Sequence, residues 1–380
     1  MSLFRSAAIA GVAESRLGVV PDATVLELQA EATVAALADA GLEKFDVDGL
    51  FVAGRWGRTP QLELGEYLGI RPSYSDGTSV GGSSFLFHLG HAAAAIKAGL
   101  CEVALIAYGS TQRSQQERSL GLGNNLGMQY EAFAGLPSPV GAYALAASRH
   151  MALHGTTREQ LAAVAVAARQ WAALNPVAFK REPLSLDEVL SAPPVAEPLH
   201  RLDCCLVTDG GGAVVVVSPE RAKSLPKRPV WLLGHGESHS HMLISQMPDL
   251  TMTPAREAGA RAFAMAGLQH RDLDILQIYD SFTITVLLTL ESLGFCAPGQ
   301  AGAYVSDGRI APGGDVPLNT SGGGLSYCHP GMFGIFLIIE AVRQLRGECG
   351  ARQVGRHETA LISGTGGVLG SNATCILAGD

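Results

Sequence analysis

Basic residues are scarce in this sequence, and so are charged residues in general. Lysine and arginine number 27 against 35 acidic residues, which gives a formal net charge of −8, and charged residues make up 16% of the chain. This balance, without a basic stripe, argues against a nucleic-acid-binding surface. Long apolar runs are also missing, because Gly, Asp or Arg interrupts each one, so we expect no membrane span. The first residues lack the basic start and apolar stretch of a secretory signal, and a cytoplasmic location is the default expectation.

Disulfide and metal-binding patterns are absent as well. The seven cysteines are an odd number, and most lie inside apolar segments, which suits reduced, buried thiols in a reducing compartment. The vicinal Cys204 and Cys205 precede an apolar strand and are expected to be structural thiols. His235, His239 and His241 resemble a metal cluster, but no cysteine or acidic pair stands nearby at ligand spacing. We therefore expect no metal in this chain.

The chain does contain an internal duplication. Residues 31–50 and 257–276 are identical at ten of twenty positions, at a constant offset of 226. Two further matches, one before and one after this segment, fall in the same order along the chain. A repeat of this length indicates two copies of one supersecondary unit. An active site can then lie where the copies meet, with each copy contributing corresponding loops.

Each copy predicts a strand, a helix, a second strand, an apolar helix, a third strand and a closing strand. The first copy has these elements at residues 7–12, 25–41, 49–53, 84–98, 103–108 and 213–218, and the second has its strands at 230–233, 275–279, 359–363 and 373–378 and its apolar helix at 332–345. The two apolar helices are apolar on nearly all sides, so we expect them to be buried between sheets. Strands alternating with helices indicate an α/β fold with mixed sheets.

Three units follow from this organisation. Residues 1–110 together with 201–225 are expected to form an amino-terminal half, and residues 226–380 a carboxy-terminal half. Residues 111–200 have no counterpart in the second half, and they contain an amphipathic helix at 157–173 and proline-rich turns. We expect this insertion to cover the mouth of the active site, since long loops often carry function.

The densest candidate for chemistry is the segment NTSGGGLSYCHP at residues 319–330. Its three consecutive glycines, with Gly323 at their centre, allow close backbone approach to a ligand and expose N–H groups. His329 stands at the mouth of the second apolar helix, where a histidine can act as a general base or an oxyanion donor. The alternative interpretation is an ordinary turn with a packed histidine.

A second candidate is Tyr279, with Ser281 two residues further on, at the end of a predicted strand. Strand ends that face a cleft are where α/β proteins place reactive groups. A tyrosine with a pKa near ~10 can donate a proton, and it acts as a base only if its pKa is depressed. The alternative is a tyrosine that caps a core strand.

Ser83 and Ser84 open the first apolar helix and form the third candidate. A serine at a helix N-terminus could be a nucleophile, but no GxSxG segment surrounds this pair. We therefore favour ordinary helix capping for these two residues.

The duplicated α/β half, the Asn-x-x-Gly-Gly segment leading to His-Pro and the glycine-rich final turn together resemble the thiolase superfamily, over essentially the whole chain. The likeness is greatest to the sterol-carrier-protein type. Its His-Asp-Cys-Phe, Asn-Pro-Ser-Gly-Gly and Gly-His-Pro motifs are matched by Tyr279-Asp280-Ser281-Phe282, Asn319-Thr320-Ser321-Gly322-Gly323 and Cys328-His329-Pro330. The resemblance implies a duplicated, layered αβαβα fold, an acyl-CoA thioester as substrate and no covalently bound cofactor. It also implies a homodimer that pairs the first-half sheets, which would suit the apolar strand at residues 103–108.

The departures from this family concern its two catalytic cysteines. The position of the acyl-accepting cysteine, at the start of the first apolar helix, is Gly82, and the two positions known for the second cysteine hold Ser281 and Gly364. A thiolate is needed to hold an acyl group covalently, and a serine without a paired base is a poor substitute. We therefore do not expect ordinary thiolysis. The missing side chain at Gly82 is expected to leave room for a branched β-carbon.

One branch of the superfamily has the same departures. The lipid-transfer-protein aldolases of steroid side-chain degradation carry Gly at the nucleophile position and a Tyr-Asp-x-Phe motif. Resemblance to them implies retro-aldol cleavage of a β-hydroxyacyl-CoA, together with a small zinc-ribbon/OB-fold partner protein. Tyr279 matches one tyrosine that is important in that branch, and the second aligns with His329.

A retro-aldol reaction requires a base and preorganised donors for an enolate oxygen, but no covalent intermediate. We assign His329 as the base or an oxyanion donor and Tyr279 as the proton relay, with Ser281 as the third residue of the catalytic set. By the resemblance, backbone N–H groups of the two glycine-rich turns form the oxyanion hole. The expected oxyanion and substrate-binding residues are Gly82, Ser83, Asn319, Gly323, Gly366 and Gly367.

Two alternatives remain open at the level of the sequence. One is an acetyl-CoA acyltransferase of the thiolase type that uses an unusual nucleophile, with Cys328 or Ser83 as the nearby options. The other is a non-catalytic subunit that binds acyl-CoA and scaffolds a partner protein.

Overall fold

The computed structural model describes residues 2–54, 57–115, 130–136 and 139–379, and its centre is a long mixed sheet. The strands in chain order are β1 (Ala8–Glu14), β2 (Gly49–Val52), β3 (Tyr74–Asp76), β4 (Val103–Ser110), β5 (Pro194–Ala196), β6 (Leu199–His200), β7 (Gly210–Val217), β8 (Val230–His239), β9 (Ile275–Ile278), β10 (Thr359–Gly366) and β11 (Ser371–Ala378). Nine of them form one sheet in the order β3-β2-β4-β7-β1-β8-β11-β10-β9 within the described residues, while β5 and β6 pair separately.

Helices of very different length surround the sheet. In the same part of the chain they are α1 (Val25–Ala40), α2 (Pro60–Leu68), α3 (Ser84–Lys97), α4 (Val140–His154), α5 (Arg158–Ala173), α6 (Leu186–Leu190), α7 (Pro219–Ala222), α8 (Ala255–Ala266), α9 (Thr283–Leu293), α10 (Ala301–Val305) and α11 (Gly334–Arg346). A π-helical turn at Gly323–Tyr327 lies just before α11. None of the described helices combines the length and the apolar character that a bilayer crossing demands.

Alternate residues along the strands face different cores, and this produces five layers. In the first half, Ile9 packs in the central core with α3 and α11, whereas Ala8 packs in an outer core with α1. In the second half, Ile362 belongs to the same central core, whereas Leu361 packs in the outer core of α8 and α9. Helices α3 and α11 contact strands of both halves. The predicted αβαβα layering with two buried helices is therefore confirmed.

The duplicated segments form equivalent elements in the two halves. Helix α1 corresponds to α8, α3 to α11, β2 to β9 and β4 to β10, as the repeat predicts. The halves meet where β1 pairs with β8 through Ala8–Trp231 and Ile9–Val230. This short ladder makes one continuous sheet out of the two half-sheets. Strand β7 follows the insertion and returns to the first half, where it lies between β4 and β1.

Helix boundaries follow local capping chemistry. The Thr24 hydroxyl accepts a hydrogen bond from the Glu27 N–H, and the Glu27 carboxylate accepts one from the Thr24 N–H, which starts α1. The helix ends at Gly41, whose φ of 69° is a left-handed conformation that glycine adopts without strain. Thr157 and Gln160 form the same reciprocal pair in front of α5. This helix confirms the amphipathic helix predicted in the insertion.

Helices α4 and α9 were not predicted from the sequence, and neither were the shorter α2, α6, α7 and α10. Every residue of α9 is buried, so no exposed face interrupts the apolar residues and the helical period leaves no trace in the sequence. Helix α4 belongs to the insertion and packs on α9, as does α5. The insertion therefore docks on the second half of the molecule through a helix that the periodicity conceals.

The cysteines are free thiols, all seven of them. Cys101, Cys328, Cys349 and Cys375 are buried, and the other three are half-buried. Burial raises the pKa of Cys204 to about 12, so this thiol stays protonated at neutral pH. The prediction of reduced and largely buried thiols is confirmed.

Strand β4 lies inside the chain's own sheet. It pairs with β2 on one side and with β7 on the other, so burial within one chain fully explains its apolar residues. The suggestion that residues 103–108 are apolar because they face a second copy was therefore wrong. The edge strand of the first half is β3, and a homodimer stays a prediction.

The contact between the insertion and α9 includes a buried pair of hydrogen-bonded side chains. His150 of α4 contacts Glu291 Oε2 over 3.1 Å through its Nε2 and Thr156 Oγ1 over 2.7 Å through its Nδ1. The other Glu291 oxygen accepts a hydrogen bond from the Ala301 N–H at 2.9 Å. Replacing the carboxylate would leave two buried polar groups without partners.

We expect Glu291→Ala to lower the free energy of unfolding by about 3 kcal/mol, because removing one partner of a buried pair strands the other. The loss should appear as a lower urea midpoint. Asp315→Ala, which removes an exposed pair with Arg309, is the control and should change the free energy by less than about 0.5 kcal/mol. Equal midpoints for the two variants would contradict this account of the docking.

Candidate active site

The structure brings Tyr279 and His329 together although fifty residues separate them in the chain. Tyr279 follows β9, and His329 lies in the loop between the π-helical turn and α11. The Tyr279 Oη lies 2.9 Å from His329 Nε2, and it accepts a hydrogen bond from the Phe333 N–H at 3.0 Å. With the proton of the neutral imidazole on Nδ1, the tyrosine hydroxyl donates to His329 Nε2 while it accepts from the Phe333 N–H. The pair is 4% and 9% exposed.

Burial determines the protonation states of this pair. It raises the pKa of Tyr279 well above the ordinary value and lowers the pKa of His329 to about 4. Both side chains are therefore neutral at pH 7, and in the tautomer that carries its proton on Nδ1, His329 presents an unprotonated Nε2 to the tyrosine hydroxyl. This is a hydrogen-bonded acid–base pair that can pass a proton from a third group to the imidazole.

Gly82 lies against the Tyr279 ring. A Cβ atom built on Gly82 would stand 2.2 Å from Tyr279 Cε2 and 2.6 Å from Tyr279 Oη, well inside the van der Waals distance. The space beside Gly82 is thus filled by the tyrosine ring. The expectation that this space accommodates a branched β-carbon of the substrate was wrong, because the ring occupies it.

The two glycine-rich turns meet beside this pair. A Cβ atom on Gly81 would lie 2.7 Å from the Gly367 N atom, and one on Gly366 would lie 2.5 Å from Ser83 Oγ. Only residues without side chains allow the turns to approach this closely. The backbone groups expected to form an oxyanion hole are therefore adjacent in space, with Gly82 in the same turn as Gly81.

The serines at the start of α3 have different roles. Ser84 Oγ donates to the Gly81 carbonyl at 2.6 Å and accepts from the Val80 N–H at 2.9 Å, so this side chain holds the turn that contains Gly82. Ser83 makes no capping hydrogen bond and lies 3.3 Å from Ser371 Oγ. Capping at the start of α3 thus takes the form of a turn held by Ser84, and among the residues that the structure describes no base is hydrogen-bonded to the Ser83 side chain.

The π-helical turn Gly323–Tyr327 is held by a carboxylate that the sequence did not single out. Asp280 accepts hydrogen bonds from the Gly324 N–H at 2.7 Å and from the Leu325 N–H at 3.2 Å. Burial raises the pKa of Asp280 to about 7, and these backbone donors oppose that shift. Gly323 packs directly on the carboxylate, because a Cβ there would lie 2.1 Å from Asp280 Oδ2. Because Asp280 directly follows Tyr279 in the chain, these hydrogen bonds connect the turn before His329 to the segment that carries Tyr279.

Asn319 has its side chain engaged with the backbone of β9. Its Oδ1 accepts from the Ile278 N–H and its Nδ2 donates to the Ile278 carbonyl, both at 2.8 Å. The backbone φ of Asn319 is 52°, a left-handed conformation that asparagine tolerates better than most residues. In this arrangement Asn319 aligns the chain on either side of Tyr279 rather than pointing an amide at a ligand.

Ser281 and Cys328 lie away from the hydrogen-bonded pair. Ser281 Oγ is 3.0 Å from Thr285 Oγ1, and within the described residues no bond connects it to Tyr279 or His329. Cys328 is completely buried, and burial raises its pKa well above the ordinary value. A protonated thiol without a neighbouring base is unsuited to attack a thioester.

Two contacts to the Tyr279–His329 pair were not found from the sequence. The His329 N–H donates to Thr208 Oγ1 at 3.1 Å, and the Thr208 N–H donates to the His329 carbonyl at 3.2 Å. The Phe333 N–H binds the tyrosine oxygen. No sequence signal identifies these groups, because one lies 121 positions away and the other is a backbone donor of any residue type.

The three histidines that resemble a metal cluster have separate partners. His235 Nε2 lies 3.1 Å from the Leu86 carbonyl, and His241 Nε2 lies 3.0 Å from the Val368 carbonyl. His239 stacks on the Phe87 ring. Across the described ranges, no group of three or more His, Cys, Asp or Glu side chains is arranged to hold a metal ion.

A duplicated five-layered fold with a buried site between its halves defines a thiolase-type protein, here with an acid–base pair beside Gly82. Two family models match the chain in agreement with this. The thiolase N-terminal domain matches residues 7–220, and the thiolase C-terminal domain-like model matches residues 236–379. The chain belongs to the thiolase family.

Its relatives carry out more than one reaction. The chain is 37% identical to a steroid side-chain-cleaving aldolase of Thermomonospora curvata over 90% of both chains. It is 35% identical to the 17-hydroxy-3-oxo-4-pregnene-20-carboxyl-CoA lyase of Mycobacterium tuberculosis, covering 95% of this chain and 96% of the relative. It is 31% identical to an acetyl-CoA acetyltransferase of Methanothermobacter thermautotrophicus, covering 98% and 99%. Family membership alone therefore does not select the reaction.

A solved structure shares the whole architecture. The structure of an Ltp2-ChsH2(DUF35) aldolase superimposes with a TM-score of 0.91 at 34% sequence identity, covering 100% of this chain and 99% of that chain. The similarity extends across both halves and the insertion, so this chain and that protein share the framework that carries the site.

We expect Gly82→Ala to displace the Tyr279 ring and to cost about 1–3 kcal/mol of stability, because the added methyl group overpacks a buried contact. Thermal unfolding of both proteins measures the loss. In a Tyr279→Ala background the same substitution should cost less than about 0.5 kcal/mol, because the ring is gone.

Gly355→Ala is the matched control, since no atom lies within 4 Å of a Cβ at that position, and it should be close to neutral. A cost for Gly82→Ala that is unchanged in the Tyr279→Ala background would show that the ring contact is not the cause.

Proposed function

We propose that this protein cleaves the Cα–Cβ bond of a β-hydroxyacyl-CoA thioester by a retro-aldol reaction. The observation that carries the proposal is the Tyr279 ring packed on Gly82 with its hydroxyl bonded to His329 Nε2. A side chain cannot start at residue 82 while the ring is there, so a sulfur nucleophile at that position is sterically excluded. The chemistry that the pair does support is proton transfer.

The reaction begins with the β-hydroxyl proton of the substrate. Tyr279 Oη has one lone pair that is not used by the Phe333 N–H, and the substrate hydroxyl donates to it. The tyrosine proton moves to His329 Nε2 as the substrate proton arrives, so the tyrosine ends neutral. The β-carbon becomes a carbonyl carbon, the Cα–Cβ bond breaks, and its electron pair moves into the enolate of the shortened thioester.

The enolate charge offsets the cost of the buried imidazolium. A histidine whose pKa is lowered to about 4 by burial holds a proton poorly unless a negative charge forms close to it. In this proposal the backbone N–H groups of the two glycine turns receive the thioester oxygen as it becomes negative, and the close approach of the turns supports that role. His329 then returns its proton to the α-carbon, which yields a carbonyl product and a shorter acyl-CoA, with no covalent intermediate.

We further propose that the protein works as a homodimer with a small zinc-ribbon/OB-fold partner, in the cytoplasm. Support for a partner comes from the related aldolase structure, whose name joins Ltp2 to ChsH2(DUF35). Support for a CoA thioester comes from the relative named as a carboxyl-CoA lyase. The proposal does not choose among steroid, aromatic and branched aliphatic acyl groups for the substrate.

A second candidate is transfer of an acyl group, and the acetyltransferase relative supports it. It would need a nucleophile, and the two candidates named from the sequence are poorly prepared for this role. The thiol of Cys328 is buried and protonated, and Ser83 contacts another serine instead of a base. A binding subunit without catalysis is the third possibility, and the experiment below separates all three.

We expect the protein, assayed with and without a candidate zinc-ribbon/OB-fold protein, to release a carbonyl fragment and a shorter acyl-CoA from a β-hydroxyacyl-CoA without consuming free CoA. Tyr279→Phe and His329→Ala should each lower kcat by on the order of 100-fold or more, because each removes one member of the proton relay. Product release is followed by chromatography and mass spectrometry.

Tyr67→Phe is the matched control, because Tyr67 is 50% exposed and lies on α2, and it should leave kcat unchanged. Intact-protein mass spectrometry after incubation with acyl-CoA should show no acyl adduct. A lasting adduct on Cys328 or Ser83 would establish the acyltransferase instead. Unchanged turnover by a Tyr279→Phe, His329→Ala double variant in the assembled complex would establish a scaffold.

The pH dependence should report His329 in its buried, neutral form. Because the base must be unprotonated, kcat/KM should fall only as the pH drops toward about 4, whereas a solvent-exposed histidine would lose activity near pH ~6.5. The rate is measured from pH 8 to 4.5, with circular dichroism at each pH to verify the fold. Burial raises the pKa of Asp280 to about 7, so this carboxyl could also affect the profile. A fall in kcat/KM near pH 7 that disappears in Asp280→Asn belongs to Asp280. A fall in kcat/KM near pH ~6.5 that persists in Asp280→Asn would contradict the assignment to buried His329.

A further inference from the structure

The insertion places a buried cation beside the turn that precedes His329. Arg169, in α5, is 8% exposed. In the described part of the chain its guanidinium donates to uncharged acceptors, to Ser326 Oγ at 2.9 Å through Nε and to the Glu182 carbonyl at 3.1 Å. Burial lowers the pKa of Arg169, and the carboxylates of Glu182 and Glu188 partly oppose this shift. A charge buried without a paired carboxylate costs free energy.

Arg169 reaches the π-helical turn at its centre. Ser326 is the fourth residue of the turn Gly323–Tyr327, and such turns are rare and occur frequently at functional sites. Two backbone donors of the insertion bind the same turn, since the Lys180 N–H donates to the Ser326 carbonyl and the Phe179 N–H to the Tyr327 carbonyl, both at 2.9 Å. His329 follows this turn by two residues.

The opposite side of the turn is held by other groups. Asp280 accepts from two of its N–H groups, and the Leu206 N–H donates to the Gly324 carbonyl at 2.9 Å. Loss of the Arg169 contact would therefore loosen one side of the turn and leave the other side attached. Because His329 is only two residues beyond the turn, such loosening is transmitted directly to the imidazole.

We propose that Arg169 is a positioning residue that, by holding Ser326, fixes the π-helical turn and the 2.9 Å contact between His329 and Tyr279. The insertion thereby controls the proton-transfer pair of the site it adjoins. A misplacement of about 1 Å costs on the order of 100-fold in rate when it disturbs reacting groups. Since His329 is a base only in the proposed reaction, this role for Arg169 rests on the proposed function.

The first measurement does not depend on catalysis. Protein labelled with 13C at the histidine ring carbons is titrated by NMR, and the His329 signal is identified by its absence in His329→Gln. In Arg169→Gln and in Ser326→Ala we expect the pKa of His329 to rise from about 4 by at least ~1 unit, because a loosened turn admits water to the ring. Ser326→Ala keeps the arginine charge, so a rise in both variants reports geometry and not charge alone.

The second measurement separates positioning from folding. Arg169→Gln and Ser326→Ala should lower kcat by about tenfold or more and change KM by less than about twofold, because neither residue is placed to bind the substrate. Arg346→Gln is the matched control, since the Arg346 side chain is 2% exposed but binds Asp39 and the Ala10 carbonyl. It should lower the unfolding temperature and leave both kcat and the His329 titration unchanged.

Each outcome decides the role of Arg169. If both variants lose thermal stability while the His329 titration and kcat stay as in the wild type, Arg169 is purely structural and the proposal is wrong. If Arg169→Gln fails to fold, Ser326→Ala decides alone. If the wild-type protein shows no retro-aldol activity, the proposed function fails, and the titration still shows whether Arg169 and Ser326 hold His329.

Discussion

The contact between the Tyr279 ring and Gly82 is the constraint on which the rest of this site depends. A single Cβ atom at residue 82 would stand 2.2 Å from the ring, so a tyrosine here and a side chain there are mutually exclusive. The same steric contact therefore explains why residue 82 carries no sulfur side chain and why Tyr279 can occupy this space. With the ring in place, its hydroxyl can lie between the Phe333 N–H and His329 Nε2, where it can relay a proton.

Burial sets the protonation states of Tyr279 and His329 and therefore their chemistry. Removing water from the pair favours the neutral forms of both side chains and makes the imidazole a weak base at rest. A weak base is productive only when negative charge develops nearby, and in the proposed reaction that charge forms beside the two abutting glycine turns, whose backbone donors would stabilise it. Surrounding contacts hold this geometry. Asp280 binds the backbone of the turn before His329, and Asn319 binds the backbone beside Tyr279. Thr208 binds the backbone of His329, and Arg169 has the positioning role proposed above.

Much of the fold was accessible from the sequence because repetition carries information that periodicity alone does not. Matching residues 31–50 with 257–276 identified equivalent strands and helices in both halves, including the two buried helices whose apolar character is complete. The same reasoning missed α4 and α9, because α9 is buried on every side and α4 has no repeated counterpart. It also placed β4 at an interface, since an apolar strand reads the same whether its neighbours belong to its own chain or to another.

Residue types and their spacing were sufficient to select Tyr279 and His329, and the resemblance to the thiolase superfamily singled out Gly82 as the position of its acyl-accepting cysteine. Distances were not accessible in this way. Tyr279 touches both Gly82 and His329, and a buried arginine of the insertion binds the turn before the histidine, so these contacts depend on side chains far apart in the chain. The contact of Ser281 with Thr285 is local, four residues apart, but its direction is visible only in the folded structure. The long-range contacts arise only when the two halves and the insertion pack together, because packing fixes the direction and the solvation of each group, and a linear pattern records neither.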